Sequence, residues 1–318
     1  MASDGRLVGL SAQRETKEAV RRALEGGKRD RGSLLFELFL VSSLAIALAV
    51  LLWLLMDIFL RSIPVWQERG LMDFISSPLS SNPEKAGVAQ GLFGSLILIV
   101  VTAVIAIPTG IAAAVYLEEY ARDTAVTRLL NTVVRNLAGV PAVVFGILGL
   151  AIFVLAMEPL TGGRTLIAGG LTLTVVVLPI VIITSAEALR AVPAGIREAG
   201  YGVGATRWEV IRSHVVPYAA PGIFTGIILT LARAFGETAP LLLVGAAAAG
   251  FASPASATIV ERLVGPYTAL PTIIFSWSRL PQQEFKALTA AAIVVLLAVI
   301  LIINAIAIVL RNRYARRW

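Results

Sequence analysis

GLFGSLILIVVTAVIAIPTGIAAAVYL, Gly91 to Leu117, runs for 27 residues without one Asp, Glu, Lys or Arg. About 20 apolar residues of helix cross the ~30 Å hydrocarbon layer, so this stretch is long enough to span a bilayer. Five more stretches read the same way: Leu34–Leu60, Gly139–Met157, Thr165–Ser185, Pro221–Ala246 and Ala287–Leu310. Across all 318 residues, 57% are hydrophobic and 15% charged, which is too apolar for a soluble globular chain. The expected fold class is an all-α integral membrane protein of six transmembrane helices.

Net charge is +7, but the basic residues cluster at span ends rather than on a nucleic-acid-binding face. With the N-terminus inside, 19 of the 27 Lys and Arg fall on one side, seven on the other, and Arg233 lies within a span. The positive-inside rule then predicts both termini in the cytoplasm. The absence of cysteine excludes disulfides and thiol chemistry, and a single histidine, His214, excludes a histidine metal cluster. Residues 1–33 read as a polar cytoplasmic tail, either a topology anchor or a short helix on the membrane surface. They precede the apolar run by too far for a cleavable signal peptide. The outer loop Arg61–Gln90 reads as irregular. The outer segment 247–286 reads as a re-entrant or surface helix, which either contacts an external partner or plugs the outer face of the bundle with Trp277 at the interface.

Between spans four and five, residues 186–220 carry helix punctuation. Pro193 suits a first helical turn, Gly204 a left-handed stop, and Thr206-Arg207-Trp208-Glu209 has the form of a capping box. Pro217 is expected to end the second helix. Such a hairpin is either an amphipathic connector on the membrane face or a docking element. The segment resembles the cytoplasmic signature of ABC importer permeases: EAA, three residues, Gly, nine residues, then I-x-L-P. The matching positions are Glu198, Ala199, Gly200, Gly204, His214, Val216 and Pro217. Gly200, His214 and Val216 depart from the usual Ala, Ile and Leu, and His214 reads as a tolerated variant at a helix end. The resemblance implies a coupling loop seated on a separate ATPase. The chain has no Gly-x4-Gly-Lys-Ser/Thr loop of its own, so ATP and Mg are expected on that partner, and this chain is expected to carry no cofactor and to catalyse no reaction.

ARAFGETAPLL, Ala232 to Leu242, places Arg233 and Glu237 in a span, where ionisable groups cost roughly 2.5–3.5 kcal/mol and face protein or water. At i and i+4, about 6 Å apart along the axis, they share a helix face and can pair. Pro240 is expected to kink the helix beside Gly236, with Thr238 satisfying part of the freed backbone. The pair is either a packing salt bridge or an oxyanion contact moderated by Glu237.

The segment resembles the PstA-type permease of phosphate ABC importers. NPEKAG (82–87), IPTGIAAAVYLEEYA (107–121), NLAGVPAVVFGILG (136–149) and SWSRLPQQEFKALTAAAI (276–293) agree with that resemblance. Sulfate and molybdate permeases share Arg and Gly-Glu but continue Phe-Gly-Ala. The resemblance covers about residues 80–315 and implies a type I ABC importer permease (MetI-like) core. It also implies a PstC-type partner permease, a PstB-type ATPase dimer, an extracytoplasmic phosphate-binding protein, and the bacterial inner membrane. Arg233, Glu237 and Thr238 are then expected on the substrate path, with Gly236 and Pro240 as its flexible point. The alternatives are the PstC-type subunit, another oxyanion permease and, from another class, an anion channel or secondary transporter.

Overall fold

A computed structural model describes residues 31–246, 261 and 263–315, and every regular element among them is a helix. The chain divides at Asp57 into two units. The first holds most of α1 (Arg31–Glu68), the first apolar helix. The expectations for the 1–33 tail fall almost entirely outside the described residues.

In the second unit a short helix α2 (Leu71–Ser76) leads to α3 (Ala89–Val115), which ends in a π turn, Tyr116–Tyr120. After α4 (Ala125–Ala138) come α5 (Ala142–Gly149) with a π turn over Leu150–Ala156, and α6 (Glu158–Thr161). α7 (Leu166–Arg190) starts at Thr165, whose hydroxyl accepts the Ala168 N–H. Two short helices, α8 (Ala194–Gly202) and α9 (Arg207–Val210), precede a third π turn (Ile211–Val215) and α10 (Val216–Gly236). α11 (Ala239–Leu243), α12 (Leu270–Ser278) and α13 (Gln283–Ala315) complete the chain.

Among the described residues five helices are long and apolar enough to cross a membrane, and a bent pair, α4 with α5, makes a sixth if it counts as one span. That pair replaces the simple third span expected from Gly139. Pro141 stands at the N-cap of α5, and the two helices meet at 103°. Proline disfavours helix in the residue before it, so the chain breaks here. α4, an expected connector, has Val126, Leu129, Leu130, Val133 and Leu137 all exposed on the isolated chain.

α3 packs on α7 at the centre of the second unit, and three of the five apolar clusters among the described residues bear on the site. One joins Val65, Phe74, Leu270, Ile273, Trp277 and Phe285. Its rings meet edge to face or tilted, with centroids 5.6 Å apart for Trp66–Phe74 and 5.8 Å for Trp277–Phe285. This corrects two expectations. Trp277 is buried rather than interfacial, and the PVW of the outer loop is helical because α1 runs through Pro64 to Glu68. The middle cluster includes Phe145, Val176, Val177, Ala234 and Phe235. At the other end, Ala114, Leu189, Val210, Val215 and Ile223 seat the loop between α7 and α10 against the ends of α3 and α7.

Candidate functional site

The loop folds as a capped helical hairpin, and its sequence explains why. Pro193 occupies the N-cap of α8, and Gly204 takes φ +84°, a left-handed conformation that a side chain disfavours. Thr206 caps α9: its hydroxyl accepts the Glu209 N–H at 3.4 Å, and the Glu209 carboxylate accepts the Thr206 N–H at 2.8 Å. The Gly200 carbonyl accepts the Ala205 N–H at 3.2 Å. Gly200 itself is buried where a Cβ would come within 2.7 Å of Val210 Cγ2, so its departure from alanine lets the two arms close tightly.

Pro217 does not end the second arm. Helix runs from Arg207 to Gly236, 30 residues and so about 45 Å of continuous rod. The π turn just before Pro217 explains this. Val216 donates to the Ile211 carbonyl five residues back, so the proline enters where the ladder is already widened. The loop's second arm is therefore the first turn of the helix that carries Arg233. Glu198, Ala199 and His214 are exposed, whereas Val216 and Pro217 are half-buried. Tyr201, Val203 and Trp208 add exposed apolar surface, with Val203 85% exposed.

At the far end of that rod, Arg233 Nε donates to Glu237 Oε1 at 3.3 Å. Their side chains are 57% and 17% exposed, and among the described residues this is the guanidinium's only hydrogen bond. Instead of the expected kink there is a break. α10 stops at Gly236, Glu237 is extended (φ −70°, ψ 125°), and α11 begins with Pro240 in its first turn. Proline suits that turn because its missing N–H has no intrahelical partner to lose. The Thr238 hydroxyl donates to the Gly236 carbonyl at 3.4 Å, as the sequence suggested. Gly236 has open space around it, while Pro240 is buried and packs against Gly146 of α5. The break thus has one free side, with Gly236, and one fixed side, with Pro240.

Two residues that the motifs did not single out form the best-satisfied ion pair of the loop. Glu119, 4% exposed, accepts from Arg197 Nη2 at 2.6 Å and from Nε at 3.2 Å. Consecutive acids at a span end otherwise dominated by basic residues were the available signal. Among the described residues no cluster of His, Cys, Asp or Glu could hold a metal ion.

Residues 106–317 match the family of binding-protein-dependent transport system inner membrane components. The chain belongs to this family. Within it, the chain is 33% identical over 271 residues to the phosphate transport system permease protein PstA of Yersinia pestis, covering 84% of this chain and 87% of that one. It is 37% identical over 180 residues to the probable ABC transporter permease YqgH of Bacillus subtilis, spanning 58% of that relative's length. The fold is also that of a chain in the crystal structure of a bacterial alginate ABC transporter, with TM-score 0.61, 16% identity, and 91% and 98% of the two chains covered. The transport component is thus a multi-pass membrane protein with an ABC importer permease fold.

Proposed function

We propose that the chain is the permease subunit of an ATP-driven phosphate importer in a bacterial inner membrane. The observation carrying this is the 33% identity to the PstA permease over most of both chains. The geometry fits the task. Arg233 presents a half-exposed, always-charged fork suited to bidentate contact with an oxyanion. Glu237 holds that fork by one long bond and can accept a hydrogen bond from a protonated phosphate. A site that bound at full strength would retain its ion, and this one is partly neutralised. Thr238 lies beside the pair on the same path.

The full importer would add a PstC-type permease, a PstB-type ATPase dimer that binds ATP and Mg and performs the hydrolysis, and an external phosphate-binding protein. The exposed face of the loop, from Glu198 to Trp208, would seat in the ATPase, and both termini would lie in the cytoplasm, the orientation that the Lys and Arg distribution favours. Closure of the ATPase would press on the hairpin, and the continuous helix from Arg207 would carry that displacement to Arg233.

The test is labelled-phosphate uptake into proteoliposomes holding the assembled importer. Uptake should require ATP and the binding protein, survive excess sulfate, and collapse in Glu198→Ala although the protein still inserts. Uptake that persists without ATP would indicate a channel or secondary transporter. Inhibition by sulfate would indicate another oxyanion permease.

A further inference from the structure

The π turn at the end of α3 reads Tyr-Leu-Glu-Glu-Tyr, residues 116–120, and three of its side chains each grip a different part of the loop region. Glu118 accepts from Arg190, in the last turn of α7, through Nε at 2.9 Å and through Nη2. Glu119 accepts from Arg197 on α8. The Tyr120 ring lies under the guanidinium of Arg207, the first residue of α9, 5.1 Å from its carbon. Arg197 closes the arrangement by donating to the Val192 carbonyl at 2.9 Å and the Leu189 carbonyl at 3.0 Å, at the end of α7. One guanidinium thus ties α3, the end of α7 and α8 together.

We propose that Glu119 and Arg197 are positioning residues that pass the loop's displacement to α3, making the hairpin and the ends of α3 and α7 one rigid body. The proposal rests on the ATP-driven reading above and deepens it, since it names where the push leaves the loop besides the helix of Arg233. The chain joins the loop directly to α7 and α10, and to α3 only the apolar seat and these polar contacts tie it. The buried pair recruits α3 as well. The long sequence separation matters, because no connection along the chain would transmit this between residues 119 and 197.

The chain contains no cysteine, which makes a reversible test available. Glu119→Cys with Arg197→Cys would be introduced into the complete importer, and ATP hydrolysis and phosphate uptake measured in the same proteoliposomes. In the reduced double variant, hydrolysis stimulated by the binding protein should persist while uptake per ATP falls by about tenfold or more. A short thiol-to-thiol crosslinker should restore that ratio, and reduction should abolish it again. Arg128→Gln, which breaks the exposed Asp123–Arg128 pair outside this arrangement, should leave the ratio unchanged. Hydrolysis and uptake falling in parallel, or a ratio that ignores the crosslinker, would overturn the proposal. Absence of ATP-dependent uptake in the unmodified importer would instead overturn the phosphate-importer reading itself.

Discussion

The molecule pairs arginine with glutamate at both ends of its functional region, and the two pairs are built for opposite purposes. Arg233 and Glu237 are four residues apart, meet through one 3.3 Å bond, and leave the guanidinium 57% exposed. Arg197 and Glu119 lie 78 residues apart, meet through three bonds, and have side chains only 23% and 5% exposed. Arg197 also satisfies two backbone carbonyls, so little donor capacity is left for any third party. A pair whose partner can be exchanged suits a passing anion, whereas one with most of its donors committed suits the transmission of force. Burial and sequence separation distinguish the two uses when chemistry alone does not.

Breaking the committed pair should cost most. Arg197→Ala strands a buried carboxylate and two carbonyls, and the expected loss of stability is about 3–5 kcal/mol. Thermal unfolding of the purified complex measures it. Glu119→Gln combined with Arg197→Met should cost less than Arg197→Ala, because no unpaired charge is left behind. A double variant at least as destabilised as the single would mean the two groups are not coupled.

Breaking the exchangeable pair should spare stability and cost transport. Arg233→Gln removes the charged fork, and uptake is expected to fall about a hundredfold, equivalent to roughly 2.7 kcal/mol. Arg233→Lys should fall between, retaining the charge but not the bidentate geometry. Uptake unchanged in Arg233→Gln would remove this residue from the path.

Much of this was legible in the sequence because it depends on local rules. Apolar runs located the long helices, Gly204 announced a left-handed residue, and Thr206 with Glu209 announced a capping box. The misreadings arose where a proline's consequence depends on its neighbours. Pro217 sits inside a continuous helix because a π turn precedes it. Pro240 starts a helix instead of kinking one, although its effect and that of Pro217 follow in sequence from the same missing N–H. The acids at 118 and 119 stood out, but the pairing of Glu119 with Arg197 was hidden for another reason. Nothing in a one-dimensional pattern brings residue 119 beside residue 197, and the motif that contains Arg197's neighbour draws attention to Glu198 instead.

The smaller predictions test the hairpin's stiffness between the two pairs. Gly204→Ala forces a side chain into φ +84°, at roughly 1–2 kcal/mol. Thr206→Ala removes the cap of α9, at about 1 kcal/mol. Neither residue belongs to an ion pair, so uptake should decline with the loop's loss of order while phosphate affinity stays constant. Hydrogen exchange across residues 194–210 should rise in both variants, more in Gly204→Ala, and uptake should fall in the same order. If exchange rises while uptake holds, stiffness of the hairpin is not what carries the stroke, and the burden shifts to the contacts of Glu119 and Tyr120. Thr206→Ser offers the finest comparison, since it keeps the capping oxygen and should preserve both exchange protection and uptake.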